Sequence, residues 1–197
     1  MAFAETTIRA PDFILASASP RRQELLSQIG LVPTDIVPAN IDESALSSER
    51  PDVYAMRMAL EKAQAVAALY PNKMILAADT VVAVGRRILP KAETETDARG
   101  CLKLLQGRQH RVYGGICLIS TEGRAHQRLS ESQVRFRRLA VDELAAYIEF
   151  GDWNGKAGGY AIQGLAARYI QRITGSYSNI VGLDLYQIAG LFRAAGQ

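Results

Sequence analysis

Met74-Ile-Leu-Ala-Ala-Asp-Thr-Val-Val-Ala-Val84 is an apolar run broken only by Asp79 and Thr80. A near-continuous apolar stretch of this length predicts a strand covered on both faces, as in the centre of an α/β sheet. Working back from it, Pro51 to Leu69 carries apolar rows at Val53, Met56, Leu60, Ala63 and Ala67 and predicts a helix closed by Pro71-Asn72. Earlier still, Phe13-Ile-Leu-Ala16 predicts a short buried strand. It runs into Ser17-Ala18-Ser19-Pro20, where Ser19 is placed to cap a helix and Pro20 to open it. Leu25, Leu26 and Ile29 give that helix its apolar face, and Gly30 stops it.

Working forward, Gly85 turns the chain and Ile88-Leu89 returns. A helix is predicted over Thr94 to Leu105, with Ala98, Leu102 and Leu105 inward and Gly107 at its end. His110 to Ser120 reads as a strand. Ser132, Val134 and Phe136 alternate with Gln133, Arg135 and Arg137, the period of a half-exposed strand. Val141 to Phe150 is a short helix stopped by Gly151. A glycine-rich stretch from Gly151 to Gly164 follows, and a last helix runs from about Asp184 to Ala195. This succession of strands and helices is a mixed α/β arrangement. The 197 residues show no internal repeat or long linker and are expected to form one domain, 1–197.

Composition removes several classes. With 48% hydrophobic and 22% charged residues the chain is neither disordered nor low-complexity. Twenty-three Lys and Arg against 20 Asp and Glu give +3, a mild basicity that suits an anionic small molecule and lacks the aromatic-interleaved basic stripe of an RNA-binding surface. Cys101 and Cys117 form no CxxC pair and read as buried thiols of a reducing compartment. The apolar run is too short to span a bilayer, and MAFAETTIRAPDF holds no hydrophobic secretion core, so a soluble cytoplasmic protein is expected. The phosphate-binding GxxxxGK[ST], the dinucleotide GxGxxG after a strand, HExxH and GxSxG are all missing.

Three places carry chemistry. In Ser17-Ala18-Ser19-Pro20-Arg21-Arg22, two arginines occupy the first turn of a helix whose N-terminal end is already positive. They cost energy there unless they are solvated or an anion sits among them; hydroxyls, free N–H groups and guanidinium together make a phosphate cradle. Asp79, inside a buried strand, needs a partner, a metal or a strand-end opening, and a carboxylate so placed can orient a metal ion or accept a proton from attacking water. In Lys156 to Gly164, glycines permit close backbone approach and Gln163 offers both a donor and an acceptor, complementary to the edge of uracil or thymine. By spacing alone the same stretch also reads as a surface loop. Lys62 on a helix stripe, Lys91 in a loop and Glu43 in a polar turn are further polar candidates; read alone they are a snorkelling lysine, a solvated loop residue and an ordinary turn acid.

In order along nearly the whole chain, SASPRRQELL (17–26), IDES (41–44), EKA (61–63), ADTVV (78–82), GR (107–108), HRVY (110–113), KAG (156–158), IQG (162–164), GSY (175–177) and VGL (181–183) resemble the Maf family of nucleoside triphosphate pyrophosphatases. The resemblance implies a Maf/ITPase-like α/β fold, with an elongated mixed sheet flanked by helices and a nucleotide cleft between two lobes. It implies cleavage between the α and β phosphates with a divalent metal, Mg²⁺ or in its place Mn²⁺ or Co²⁺. Asp79 matches the family's general base; Ser17, Arg22, Lys62 and Lys91 match phosphate positions; Arg21, Thr80 and Gln163 match positions tied to base choice in the branch acting on dTTP and UTP. Glu43 and Asp79 are the acids to test as metal ligands. A homodimer, no nucleic-acid or membrane partner, and a role in clearing pool nucleotides, modified pyrimidines among them, are implied as well. A non-catalytic nucleotide-binding regulator of cell division is the alternative. The chain departs from the family pattern at Pro90-Lys91-Ala92 (for Gly-Lys-Pro), Gly155 (for Asp), Gly114 (for Thr), Ser132 (for Thr) and Asp184 (for Pro).

Overall fold

The computed structural model describes residues 11–195. Along the chain come β1 (Phe13–Leu15), α1 (Pro20–Gln28), β2 (Asp35–Ile36), α2 (Pro51–Leu69), β3 (Met74–Val84), β4 (Arg87–Leu89), β5 (Lys91–Ala92) and α3 (Glu95–Leu105). Then follow β6 (Gln109–Ile119), β7 (Ala125–Phe136), α4 (Val141–Phe150), β8 (Lys156–Ala157), a 3-10 turn (Leu165–Tyr169), β9 (Ile170–Thr174), α5 (Tyr177–Val181) and α6 (Leu185–Ala195). The seven-stranded sheet has the order β2-β1-β3-β6-β7-β9, with β4 also paired to β3; β5 and β8 form a separate two-stranded ladder. β1 runs parallel to β2 and β3, whereas β4, β6, β7 and β9 join antiparallel. The mixed α/β fold expected from the element order is present. The stretch read for a targeting signal lies, through residue 10, outside the described residues, among which no helix is long and apolar enough to cross a membrane.

β3 is the axis because both of its faces are covered. Met74, Leu76, Ala78 and Val82 face a large core shared with α1, α3, α4 and α6, through Leu26, Leu102, Tyr147 and Leu191. Ile75 and Ala77 face the other way, against Ala59, Ala63 and Val66 of α2. Ile75 and Leu76 are fully buried, and each such side chain contributes about 1.5–3 kcal/mol. The predicted span of α2 stands, but its predicted face is turned: Ala63 is buried and Leu60 and Ala67 partly so, whereas Val53 is 50% exposed, and the buried row is Ala55, Met58, Ala59, Lys62, Ala63 and Val66. Small residues win that face because the helix lies directly on the sheet. A Cβ on Gly115 would meet the Ala55 carbonyl, and only glycine lets the backbones approach so closely.

The sequence reading leaves out β2, β5, β8, β9 and α5. The glycine-rich 151–164 stretch is more than a surface loop: it contains β8, and Gly158, Gly159, Tyr160, Ala161 and Ile162 are buried. Its glycines approach protein neighbours. Gly158 lies on the Val82 side chain and Gly164 on the Asp152 carboxylate, in each case too close for a Cβ.

One topological detail creates the site. β6 occupies one edge of β3 throughout. On the other edge, β1 covers only 74–76 and β4 only 82–84. Between them, residues 77–81 have no strand beside them. This gap is the strand-end opening that a carboxylate at position 79 required.

Candidate active site

A cleft of about 680 Å³ opens at this gap. Every residue singled out in the sequence lines it: Ser17, Arg21, Arg22, Glu43, Lys62, Asp79, Thr80, Lys91 and Gln163. Asp79 and Thr80 alternate across the pleat, so one strand supplies groups to two sides of the opening.

On the α2 side, acids and ammonium groups alternate in a row. Lys62 Nζ lies 2.7 Å from Asp79 Oδ1 and 3.0 Å from Glu43 Oε1, and Lys91 Nζ lies 2.9 Å from Glu43 Oε2. Lys62 does not snorkel: it is 7% exposed and bridges the two carboxylates. Glu43, far from an idle turn acid, is held by both lysines. Burial alone would raise its pKa; hydrogen bonds from Lys91 and Lys62 outweigh that and hold the carboxyl below its usual range. The loop carrying it is fastened to α2, where Tyr54 donates to the Glu43 carbonyl at 2.7 Å and Arg57 reaches the Ser44 carbonyl and Glu49. Burial, then Asp79 and Glu43, push the Tyr54 phenol up to about 12, so it remains a donor.

On the α1 side the guanidinium of Arg22 is fixed by three bonds: to Ser17 Oγ (2.9 Å), Thr80 Oγ1 (3.2 Å) and the Gly182 carbonyl (3.0 Å). Burial lowers its pKa, opposed by Asp79, but an arginine so placed keeps its charge. Thr80 Oγ1 itself donates to Gly182. Ser19 occupies the N-cap position, yet its side chain makes no capping bond, and its own N–H donates to Ser17 Oγ. The opening turn of α1 is therefore an uncapped helix start facing the cleft, as an anion site requires. Arg21, one residue earlier, makes no hydrogen bond or ion pair among the described residues. Burial lowers its pKa, with Asp152 and then Glu24 opposing.

Behind the cleft wall, Tyr160 is buried with its hydroxyl 2.8 Å from His110 Nε2, while His110 Nδ1 has no partner. Burial pushes His110 down to about 4, so the ring is neutral near pH 7. Both cysteines are buried and unpaired, as expected.

The sequence reading missed three contributors. Gly182 acts through its carbonyl, a group with no side-chain signal beyond the VGL match. Asp152 accepts the Leu165 N–H at 2.9 Å and packs on Gly164, clamping the Gln163 segment. Tyr54 was passed over as a helix residue.

The model of the family described as Maf-like protein matches residues 12–195. The chain belongs to the Maf family. Curated relatives include proteins named dTTP/UTP pyrophosphatase. That of Paramagnetospirillum magneticum is 58% identical over 183 residues, covering 93% of this chain and 96% of its own. That of Mesorhizobium japonicum is 56% identical over 189 residues, covering 93% and 91%. Among solved structures, the Ham1 protein of Staphylococcus aureus matches with a TM-score of 0.54 at 11% identity, covering 94% of this chain and 100% of that one. At that identity the likeness is one of fold. It agrees with the ITPase-like architecture expected of a Maf chain.

Proposed function

We propose that this protein hydrolyses dTTP and UTP to the nucleoside monophosphate and pyrophosphate. The observation that carries the reading is the alternating Asp79–Lys62–Glu43–Lys91 row facing the fixed Arg22 across one cleft. It is joined by the names of the relatives at 58% and 56% identity. A triphosphate brings about four negative charges and needs several fixed donors. Arg22 presents its unused N–H groups beside the Ser17 hydroxyl and the uncapped start of α1. Lys62 and Lys91 exchange one carboxylate contact each for a phosphate oxygen. Asp79 Oδ2, which receives no side-chain hydrogen bond among the described residues, takes the proton of the attacking water. Arg21, Thr80 and Gln163 stand where the base is distinguished, with Thr80 tied to Arg22 so that base end and phosphate end are linked.

A divalent cation would find two carboxylates in this donor set, Glu43 and Asp79. Among the described residues no group of three or more His, Cys, Asp and Glu could hold a metal alone. The carboxylates of Glu43 and Asp79 are the hard oxygen donors that an ion such as Mg²⁺ prefers, and Lys62 would have to yield a contact to it. Glu43 and Asp79 would hold it, and it would supply neutralisation of charge on the phosphates. A cytoplasmic homodimer acting on pool nucleotides, the whole chain serving one cleft, extends the proposal; sedimentation at two concentrations checks the assembly.

The experiment is pyrophosphate release from dTTP, UTP, CTP, GTP, ATP and 7-methyl-GTP with Mg²⁺. Turnover of dTTP and UTP that falls about 10²–10⁴-fold in Asp79→Asn is expected. Tight nucleotide binding without turnover would instead favour a regulator that binds and does not cleave.

A further inference from the structure

One cationic side chain of the cleft has no part in the phosphate array. Lys156 lies on β8 and lines the same cleft. The β5–β8 ladder pairs Lys91 with Ala157 and Ala92 with Lys156, so the two lysines occupy successive rungs on opposite strands. Side chains alternate across a ladder, which sends Lys91 and Lys156 to opposite faces. Lys91 meets Glu43 in the acid row. Lys156 points to the other face, where its only side-chain hydrogen bond among the described residues is to the Asn154 carbonyl two positions back, at 2.8 Å. Burial lowers its pKa, Arg21 adds to that, and Asp152 opposes.

The arginines divide in the same way. Successive residues on a helix point about 100° apart. Arg22 feels Asp79 and Glu43, whereas Arg21 feels Asp152 and Glu24. With phosphates on the row, the rest of a nucleotide meets Arg21, Lys156 and Gln163. Lys156 and Gln163 sit on a fastened frame beside Arg21: Asp152 holds the Gln163 segment through Leu165 N–H, and Gly155 N–H and Gly158 N–H fasten β8 to the carbonyls of Ala92 and Pro90.

Uracil and thymine present an acceptor, a donor and an acceptor along their pairing edge, whereas cytosine presents two acceptors and a 4-amino donor. An ammonium has three donors and no acceptor, so it can serve a carbonyl and cannot serve an amino group. We propose that Lys156 is a specificity residue that donates to the 4-carbonyl of uracil or thymine and turns away the 4-amino group of cytosine. The inference rests on the dTTP/UTP reading and names a residue for its base end.

The test compares wild type, Lys156→Met and Lys156→Gln. Its readouts are kcat/KM for UTP and CTP, and calorimetric affinity for the non-hydrolysable α,β-imido analogues of both. Losing a charge-assisted hydrogen bond should lower the UTP-to-CTP ratio roughly 10–100-fold in Lys156→Met, almost wholly through UTP. Lys156→Gln offers the cytosine amino group an acceptor, so CTP should gain in absolute terms, which damage to the fold cannot produce. Equal falls for both nucleotides would assign Lys156 to a phosphate and overturn the proposal, as would unchanged ratios. A wild type that cleaves neither nucleotide sinks the hydrolase reading, while the analogue affinities still decide Lys156. Binding of neither analogue overturns both.

Discussion

Gly115→Ala tests whether the site depends on how closely α2 lies on the sheet. Gly115 pairs with Asp79 across β6 and β3, and α2 passes directly over that pair. A Cβ at 115 would fall inside contact distance of the Ala55 carbonyl and 2.9 Å from the Met56 nitrogen, where ordinary contact begins at 3.4 Å. Both neighbours are helix backbone, so no rotamer relieves the clash. The helix must retreat by about an ångström, and overpacking on that scale costs roughly 1–3 kcal/mol. For a domain of this size that lowers the melting temperature by roughly 2–12 °C. The retreat has a second effect. Ala55 and Lys62 are seven residues, nearly two turns, apart on the same buried face. Lys62 would move with Ala55 and stretch its 2.7 Å contact to Asp79. Thermal unfolding and UTP hydrolysis on one preparation check both effects: a lowered midpoint, and a kcat/KM that falls below wild type at a temperature where the variant is fully folded. Wild-type stability would refute the close-approach argument. Lowered stability with wild-type kcat/KM would refute the link between helix position and the charge row.

Two further outcomes follow from the charges. Lys62→Met leaves Asp79, 6% exposed, without its ammonium, and breaking a buried pair this way costs about 3–5 kcal/mol. Lys62→Met with Asp79→Asn should recover much of that in urea unfolding, and a double variant no more stable than the single one would show that the pair is not coupled. His110 carries a folded pKa of about 4 against an ordinary 6.5, so the folded state binds fewer protons than the unfolded chain. Its neutral ring leaves stability intact above pH 6.5 and lowers it as pH falls from 6.5 to 4, by roughly 3 kcal/mol in total. His110→Phe should flatten the stability curve over that window relative to wild type, and parallel curves would show that the buried ring does not titrate there.

Much of this architecture is legible because each long element is specified by its own residues. β3, α2 and α4 have the bounds their apolar runs and glycine or proline stops predict. What local pattern could not give is pairing. The buried face of α2 is chosen by Gly115 on a strand far along the chain, and a glycine carries no hydrophobic signal. β5 and β8 are two residues each and exist only because they pair with one another. The cleft shows the same division. Asp79 is visible as a charge that a buried strand must explain. Glu43 reads as an idle turn residue until Lys62 and Lys91 are brought to it.

The departures from the family pattern, scattered in sequence, fall into two contact groups. Gly155 donates its N–H to the Ala92 carbonyl and Gly158 donates to Pro90, so the altered Pro90-Lys91-Ala92 loop and the altered position 155 are one hydrogen-bonded piece at the cleft. The others gather around Asn179. Its Nδ2 donates to Ser132 Oγ and to the Val112 carbonyl, while its Oδ1, buried without a hydrogen-bond partner, presses on Gly114 where a Cβ could not fit. Gly114 pairs with Ser130, and Ser130 donates to Asp184, which in turn accepts the Tyr186 and Gln187 N–H groups at the start of α6. A threonine at 114 would displace the Asn179 amide that Ser132 supports, and a proline at 184 would remove the carboxylate that Ser130 and α6 share. Each group is therefore exchangeable as a unit and costly one residue at a time. The first group carries Lys91 and Lys156 and can alter substrate preference; the second supports α5 and α6, and because Gly114 pairs with Thr80 and the Gly182 carbonyl holds Arg22 and Thr80, it can alter stability and the placement of those cleft groups.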